Sequence, residues 1–204
     1  MDKRIGACYP EMAPVVGYAS TATFRSSTKP SGADAYSTLD AQVALFTDLP
    51  QPVIVVFQDL DDAPVAATFG EVMTTTYKAF GAAALITSGA ARDLEQVRAL
   101  GFPCFADGAI CSHGYPRILD LHVPVHVGGL VVRPGDLLHG DANGVTNIPH
   151  EIAHDVANAC AEFCQAEDAV LDYCRAGEVT PVGLGEARKE QERRVKAIKQ
   201  RLGL

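Results

Sequence analysis

The stretch TFGEVMTTTYKAFGAAALITSGAARD, residues 68–93, indicates the fold class. A helix-like run, GEVMTTTYKAFG, leads directly into the strand-like run AAALITSG. Upstream, VVGYASTATF and PVIVVF have β-type patterns, and downstream a helix-like DLEQVRALG precedes FPCFADG. Short apolar β runs that alternate with helical patterns predict an α/β fold, with a parallel or mixed sheet flanked by helices.

The pattern changes after Leu121, where Val, Gly and Pro dominate and tight turns are expected near Gly129, Gly135 and Gly144. A long helix should begin near Pro149 and end at Gly177. Its predicted buried stripe consists of Ile152, Val156, Ala159, Phe163, Val170 and Cys174. After a loop containing Pro181, Gly183 and Gly185 comes a charged helix, EARKEQERRVKAIKQRLGL, with expected Glu190–Arg194 and Glu192–Lys196 pairs. We therefore predict one α/β domain over residues 1–176 and a charged helical tail over residues 177–204.

The composition restricts the classes of partner. Hydrophobic residues make up 48% of the 204 residues and charged residues 21%, which is typical of a compact globular protein. A net charge of −8 disfavours nucleic acid. The apolar runs are too short to span a bilayer, and the N-terminal residues lack the apolar core of a signal peptide. We expect a cytoplasmic protein with no nucleic-acid or membrane partner, and six cysteines that are reduced and buried.

The segment HEIAH, residues 150–154, matches the H-E-x-x-H pattern of zinc peptidases. A catalytic zinc site needs a third protein ligand. The sequence has no histidine after His154, and Glu178 lies beyond Gly177 in a predicted loop. We therefore expect His150 and His154 to be exposed or interface residues and not zinc ligands.

A different constellation suits the binding of a 2-oxo acid. Gly70 and Glu71 open the predicted helix, and Arg92 and Asp93 close a strand and turn, so that both ends can return to one edge of the sheet. Arg92 offers a planar fork for a carboxylate or enolate oxygen, and Asp93 offers a hard oxygen ligand for a divalent cation. A structural ion pair between Arg92 and Asp93 is the alternative interpretation.

Backbone amides complete this predicted site. The N–H groups of Glu71, Val72 and Met73 lie at a predicted helix start, where they have no acceptor within the helix and favour an anion. Amides, an arginine and a cation together can hold a 2-oxo acid and stabilise its enolate.

The spacing of Glu71, twenty residues, Arg92 and Asp93 resembles the D/E-x20-R-D pattern of the RraA-like family, which includes the class II 4-hydroxy-4-methyl-2-oxoglutarate aldolases. The resemblance extends to VVGYASTATF, GAAALITSGAARD, PCFADG and VRPGDLLHGDANGVTNIP, and covers roughly residues 13–174. It implies a compact swivelling β/β/α fold of the phosphohistidine-domain-like type, assembled as homotrimers or hexamers with sites at subunit interfaces. Relatives usually carry a further helical segment before the stretch matching RIGACYPEM, so the N-terminal part is expected to be short here.

The resemblance also implies roles for the site residues. Substrate binding would involve Gly70, Glu71, Val72, Met73 and Arg92, with pyruvate held by the backbone amides and by Arg92. Asp93 would bind Mg²⁺ or Mn²⁺ through a water-rich shell, and Glu71 would orient water there, so that Arg92, Asp93 and Glu71 are the catalytic set.

The implied reaction is cleavage of a 4-hydroxy-2-oxo acid to release pyruvate through a cation-stabilised enolate, and oxaloacetate decarboxylation would pass through the same enolate. No Schiff base is required, and Lys78 is expected on the solvated face of its helix. Glu167, in the long helix, is either a residue given to a neighbouring subunit's site or a solvated helix position.

The same family contains proteins named as regulators of ribonuclease E activity, which act by binding a protein. Where the pattern is known, these regulators lack the aspartate of the Arg-Asp pair, whereas Asp93 is present here. A non-catalytic regulator or an inactive homologue is therefore the alternative to a metal-dependent lyase.

Overall fold

A computed structural model describes residues 1–29 and 38–203. The chain divides into two compact units, Met1–Pro149 and His150–Leu204. The division at residue 149 differs from the one expected at residue 176. The reason is that the long helix predicted after Pro149 packs against the C-terminal helix, so the two helices belong to the same unit.

The first unit contains the β-structure. Its strands are β1 (Gly6–Ala7), β2 (Val15–Arg25), β3 (Val53–Asp59), β4 (Ala67–Phe69), β5 (Ala82–Thr87), β6 (Ala90–Ala91), β7 (Cys104–Ala106), β8 (Arg117–Leu121), β9 (Val125–Val127), β10 (Leu130–Val132), β11 (Leu137–Asp141) and β12 (Gly144–Ile148). Its helices are α1 (Leu39–Ala44), a 3-10 turn (Leu45–Asp48), α2 (Glu71–Ala79) and α3 (Leu94–Ala99). The predicted strands and helices of residues 15–106 are confirmed, as are the turns between β9 and β10 and between β11 and β12.

The main sheet is mixed. Its hydrogen-bonded order is β1-β7-β5-β3-β2-β11-β12, and β8 also pairs with β2. Strands β2, β3, β5 and β7 are parallel, whereas β1, β8 and β11 run antiparallel to their neighbours. The sheet nearly closes on itself: the Met1 ammonium donates to the Val145 carbonyl of β12, at 2.5 Å, close to the start of β1. The α/β fold with a mixed sheet is the one that the sequence predicts, and the near closure of the sheet is a further feature of the structure.

Strand β3 forms the centre of the core. Its apolar residues from Val53 to Phe57 are all fully buried. Val53, Val55 and Phe57 pack into one hydrophobic cluster, and Ile54 and Val56 pack into a second cluster. Successive side chains of a strand point to opposite faces, so β3 contributes to two layers at once. The continuous apolar run PVIVVF is the pattern that a parallel strand covered on both faces requires.

The second unit is a helical hairpin. After a 3-10 turn (His150–Ile152) come α4 (Ala153–Arg175) and α5 (Pro181–Leu202). Helix α4 ends at Arg175, two residues before Gly177, the residue predicted to end it, which has a left-handed φ of 88°. Helix α5 begins earlier than predicted, because Thr180 caps it by accepting from the Gly183 N–H at 3.1 Å and Pro181 occupies the first turn.

The predicted buried stripe of α4 is wrong for several of its members. Ile152 is 48% exposed and Phe163 44% exposed, and Cys174 is exposed as well. Ala166 is the residue of α4 that is buried. A two-helix hairpin has one internal seam, so most of the apolar stripe of α4 has nothing in its own unit to cover it.

The predicted burial of the cysteines is also wrong in part. Cys104 is buried and Cys8 is partly buried, whereas Cys111, Cys160, Cys164 and Cys174 are exposed. Three of these exposed cysteines lie on α4, and the same lack of covering structure explains them. No helix in the described part of the chain is long and apolar enough to cross a membrane.

Candidate functional site

A two-stranded sheet outside the main one positions the predicted site. Strands β4 and β6 pair in parallel, with Ala67 opposite Ala90 and Phe69 opposite Ala91. The Arg92 N–H extends this pairing by donating to the Phe69 carbonyl at 3.1 Å. Both strands therefore end at the same edge, which brings the start of α2 beside the turn that precedes α3.

Gly70 lies in close contact with the Arg-Asp pair. A Cβ atom at Gly70 would stand 2.4 Å from Asp93 Oδ2 and 3.1 Å from both Cγ and Nε of Arg92. The φ of Gly70 is −154°, an extended conformation that any residue can adopt. Glycine is therefore needed at this position for space and not for its backbone conformation.

Asp93 connects the two helix starts. Its Oδ2 accepts a hydrogen bond from the Glu71 N–H at 3.1 Å and lies 3.7 Å from Arg92 Nε. Asp93 has a left-handed backbone, with a φ of 55° and a ψ of 40°, a conformation that Asp and Asn adopt more readily than most residues. The side chains of Arg92 and Asp93 are 29% and 38% exposed, so the pair is accessible to a ligand.

The first turn of α2 has fewer free amides than the sequence predicts. The Thr74 N–H donates to the Gly70 carbonyl and closes the first turn, so the preceding amides have no acceptor within the helix. The amide of Glu71 is already bound to Asp93. The amides of Val72 and Met73 therefore remain available to bind an anion. The side chain of Val72 is exposed, whereas that of Met73 is buried.

A small cavity adjoins the pair. Its volume is about 10 Å³, and its lining includes Phe69, Gly70, Arg92 and His113. This volume suits about one water molecule, so a larger ligand does not fit inside the cavity. His113 was not predicted as a site residue. It lies in the loop between β7 and β8, and no sequence pattern predicts that it lies close to Arg92.

The residues present fit a divalent cation that keeps most of its water. In the described ranges, no group of three or more His, Cys, Asp or Glu side chains is arranged to hold a metal ion. Asp93 is a partly exposed carboxylate in which one oxygen is fixed by Glu71 and Arg92. Mg²⁺ in proteins is commonly bound through one or two carboxylates and retains several water ligands. A single carboxylate such as that of Asp93 is enough for this mode of binding.

The remaining predicted residues belong to other segments of the chain and have contacts of their own. Lys78 is exposed and donates to the Leu100 carbonyl. His150 and Glu151 lie in the 3-10 turn, and His154 lies in α4 with its Nε2 3.1 Å from Asp155 Oδ2. HEIAH is therefore not one continuous α-helix. Glu167 is partly buried in α4, in the second unit.

The comparisons with known proteins agree on one family. The model for RraA-like proteins, described as Aldolase/RraA, matches residues 1–146. A protein from Halalkalibacterium halodurans named "Putative 4-hydroxy-4-methyl-2-oxoglutarate aldolase" is 37% identical over 140 residues, which cover 68% of this chain and 65% of that protein. The chain thus spans just under two thirds of the length of this relative.

Two solved structures resemble the fold. An uncharacterized protein from Pseudomonas syringae pv. tomato is similar with a TM-score of 0.70 at 20% identity, over 92% of this chain and 80% of that one. Streptomyces coelicolor RraAS2, named as an unusual member of the RNase ES inhibitor RraA protein family, is similar with a TM-score of 0.60 at 25% identity, over 76% of each chain.

Proposed function

The chain belongs to the RraA-like family, and on that premise we propose that it is a divalent-metal-dependent lyase that cleaves a 4-hydroxy-2-oxo acid and releases pyruvate. The observation that carries the proposal is the juxtaposition of Gly70, Arg92 and Asp93 at the edge where β4 and β6 end. The likeness to the Halalkalibacterium halodurans protein supports the aldolase class.

Arg92 would bind the oxygens of the 2-oxo acid. Its guanidinium is partly exposed, and the 3.7 Å contact with Asp93 holds Nε in place. A guanidinium offers several coplanar donors, so its remaining N–H groups can bind a carboxylate or the enolate oxygen in a fixed geometry. As the C–C bond breaks, negative charge moves onto that oxygen, where the positive charge of Arg92 stabilises it.

The start of α2 would hold the substrate carboxylate. The amides of Val72 and Met73 precede the first hydrogen bond of the helix, and the positive end of the helix dipole favours an anion. Because Gly70 has no side chain, Asp93 and Arg92 can lie directly against this backbone, next to the free amides.

Asp93, assisted by Glu71, would hold Mg²⁺ or Mn²⁺. The cation would supply further stabilisation of the enolate charge. Glu71 is exposed at the first position of α2, and its amide contacts Asp93, so its carboxylate is suited to orient water at this edge. Loss of CO₂ from oxaloacetate forms the same pyruvate enolate, so decarboxylation is expected as a second activity of this site.

We further propose a homotrimer or hexamer as the working assembly. RraA-like family proteins are typically oligomeric, and the exposed apolar stripe of α4 is a surface that could be covered by another copy. Glu167 lies on this helix and would be available to a neighbouring site in such an assembly.

A second candidate function is regulation by protein binding. It is favoured by the likeness to RraAS2, which is named for RNase ES inhibition. A regulator has no need of a cation, so dependence on Mg²⁺ or Mn²⁺ distinguishes the two functions.

The experiment is an assay of pyruvate release by the purified protein. Oxaloacetate and 4-hydroxy-4-methyl-2-oxoglutarate are supplied with Mg²⁺ or Mn²⁺ and then with EDTA, and the rate due to the metal alone is subtracted. We expect a rate that EDTA abolishes and that further Mg²⁺ restores. A folded protein with no rate above background on either substrate would contradict the lyase and favour the regulator.

The variant Arg92→Lys tests the role of the guanidinium. We expect its rate to fall at least tenfold, because a point charge cannot reproduce two coplanar hydrogen bonds. Arg98→Lys, an exposed change on α3, is the matched control and should keep the full rate. An unimpaired Arg92→Lys variant would mean that Arg92 is structural.

A further inference from the structure

Two cysteines lie opposite each other on neighbouring strands of the main sheet. Strands β1 and β7 are antiparallel, and Ala7 of β1 is opposite Phe105 of β7. The next step of this register places Cys8 opposite Cys104, and the Cys8 N–H donates to the Cys104 carbonyl at 2.8 Å. Residues directly opposite in an antiparallel pair point their side chains to the same face, with Cβ atoms about 4.5–5.5 Å apart.

The packing of the core agrees with this register. Cys104 belongs to the core cluster that contains Val53 and Val55, and Cys8 packs against the same cluster. Ala7 and Phe105, one step along the two strands, belong to the other cluster. Because one step along a strand reverses the face of the side chain, both thiols project into the same layer of the core.

The spacing of the two residues suits a disulfide. The Cα atoms of disulfide-bonded cysteines are usually about 4.4–6.8 Å apart, and those of opposite residues in an antiparallel pair are about 4.5–5.5 Å apart. Both thiols are free in this structure. The Cys104 thiol donates to the Phe102 carbonyl at 3.5 Å, a weak hydrogen bond that a disulfide would replace.

The two thiols differ in their access to a small molecule. Cys8 is partly exposed and lines a surface cleft of about 310 Å³, together with Gly108 and Leu94. Cys104 is 1% exposed and is not among the described residues that line this cleft. A small molecule can therefore contact Cys8, whereas Cys104 can be reached only by its neighbour Cys8.

Burial makes both thiols slow to react at neutral pH. It raises the pKa of the Cys8 thiol to about 11. Burial and, after it, the charge of Cys8 raise the pKa of the Cys104 thiol well above its usual range. The thiolate is the reactive form of cysteine, and below the pKa its fraction rises about tenfold with each pH unit. The pair should therefore oxidise slowly at pH 7 and faster at higher pH.

We propose that Cys8 and Cys104 form a reversible intramolecular disulfide when the protein meets a low-molecular-weight disulfide, such as glutathione disulfide. Cys8 attacks one sulfur of the small disulfide, whose S–S bond breaks and releases one small thiol. Cys104 then attacks the Cys8 sulfur, which forms the bond between the two cysteines and releases the second small thiol. Two electrons and two protons pass from the cysteines to the small disulfide.

The bond would fasten the N-terminal segment to the sheet. Strand β1 has 2 residues and lies at one end of the main sheet, so few backbone hydrogen bonds hold it. Tyr9, the residue after Cys8, donates to the Leu94 carbonyl at 2.9 Å, and Leu94 directly follows Asp93. The disulfide would thus constrain a segment that contacts the start of α3. The proposal is independent of the lyase function, because it concerns the thiols and not the Arg-Asp pair.

The test uses a parent variant in which serine replaces the exposed cysteines, so that Cys8 and Cys104 are the remaining thiols; the replaced residues are Cys111, Cys160, Cys164 and Cys174. The folded parent is incubated with glutathione disulfide at about pH 8.5, where more thiolate is present than at neutral pH. Peptides are then mapped by mass spectrometry without reduction. We expect peptides joined through Cys8 and Cys104, with no glutathione retained, and separation of these peptides by dithiothreitol.

Two further measurements accompany the mapping. The rate of disulfide formation should rise about tenfold between pH 7.5 and 8.5, since the thiolate fraction does. The urea midpoint of the oxidised parent should rise by roughly 1 M over that of the reduced parent, because the bond closes a long loop in the unfolded chain.

The matched control moves one thiol by a single residue. It carries Ala7→Cys together with Cys8→Ser in the same parent. The thiol at residue 7 would point to the opposite face of β1, so no link to Cys104 is expected. Circular dichroism establishes that the parent and the control are folded before oxidant is added.

Three outcomes would overturn the proposal. The first is a folded parent that forms no Cys8–Cys104 link with glutathione disulfide at the higher pH. The second is a stable mixed disulfide of glutathione on Cys8, which would mean that Cys104 cannot reach it. The third is an equal yield of linked peptides in the control, which would mean that the link forms without the register of β1 and β7. Because the readouts are a covalent link and unfolding, the result does not depend on whether the protein releases pyruvate.

Discussion

The two units of the chain are stabilised in different ways. In the first unit the apolar residues of β3 are fully buried and contribute to two core clusters. In the second unit α4 and α5 bury little more than Ala166 and Ala187, and ion pairs such as Arg201–Glu162, at 2.9 Å, connect the helices. Exposed ion pairs contribute little free energy, whereas buried apolar surface contributes most of it. The first unit should therefore be stable by itself, while the hairpin depends on whatever covers it.

The largest expected effect compares two phenylalanines. Phe57→Ala, in the core of the first unit, should lower the free energy of unfolding by about 3–5 kcal/mol, because it removes a fully buried ring. Phe163→Ala, on the 44% exposed face of α4, should cost less than about 1 kcal/mol. Urea unfolding followed by circular dichroism measures both changes. A large cost at Phe163, or dissociation of an oligomer in that variant, would show that another subunit covers the face.

The second largest effect is the contribution of Asp59 to the pH dependence of the free energy of unfolding. Burial and, to a lesser degree, the charge of Asp61 raise the pKa of Asp59 from 3.8 to about 6, although the hydrogen bond from the Asp61 N–H and the charge of Arg25 act in the opposite direction. The folded protein therefore binds more protons than the unfolded chain between pH 4 and 6, so the free energy of unfolding falls as the pH rises across this window. The loss is on the order of 2–3 kcal/mol. Urea unfolding at pH 4 and pH 7 should show it in the wild type and not in Asp59→Asn; identical pH profiles would contradict the assignment.

A pair of glycines gives the third comparison. Gly70→Ala places a methyl group within 2.4 Å of Asp93 Oδ2 and should reduce pyruvate release at least tenfold. Gly185→Ala lies in α5 with open space around the new methyl group and should raise the free energy of unfolding by about 0.5–1 kcal/mol. Steady-state rates and urea unfolding of both variants provide the check. Full activity in Gly70→Ala would mean that the Arg-Asp pair can move without consequence.

The smallest effect is expected at Glu190 in the second unit. Hydrogen bonds from Arg193 and then Arg194 lower its pKa to about 2 from a usual value of 4.5. Its contribution is present above pH 4.5 and is lost as the pH falls toward 2, the opposite direction to Asp59. Because the side chain is only partly buried, at 35% exposure, Glu190→Gln should lower the helical circular dichroism signal only slightly above pH 4.5, and this difference should disappear as the pH falls toward 2. A large change at neutral pH would indicate that the hairpin depends on this ion pair.

The sequence predicts well those features that depend on local pattern. The apolar run of β3, the helix at Glu71 and the return of residues 70–71 and 92–93 to one edge follow from strand and helix periodicity, and the structure has all of them. The functional roles of Arg92 and Asp93 stay predictions, since proximity does not establish chemistry. The Glu190–Arg194 pair is present at 2.8 Å.

The features that the sequence does not predict depend on contacts between segments that are distant in the sequence. Helical periodicity predicts that α4 has an apolar face, but it cannot say whether a neighbour covers that face, so the burial of Phe163 and Cys174 was predicted wrongly. His113 reaches the candidate site through a loop whose path no local pattern determines.

The most direct test of the central claim is the pyruvate-release assay on Asp93→Asn. Asparagine keeps the shape of the side chain, can accept the Glu71 amide and tolerates the left-handed backbone, so the variant removes the charge without straining the turn. We predict a folded protein, by circular dichroism, whose EDTA-sensitive release of pyruvate from oxaloacetate is lost, while Asp40→Asn keeps the wild-type rate. A wild-type, EDTA-sensitive rate in Asp93→Asn would place the cation elsewhere and contradict the account.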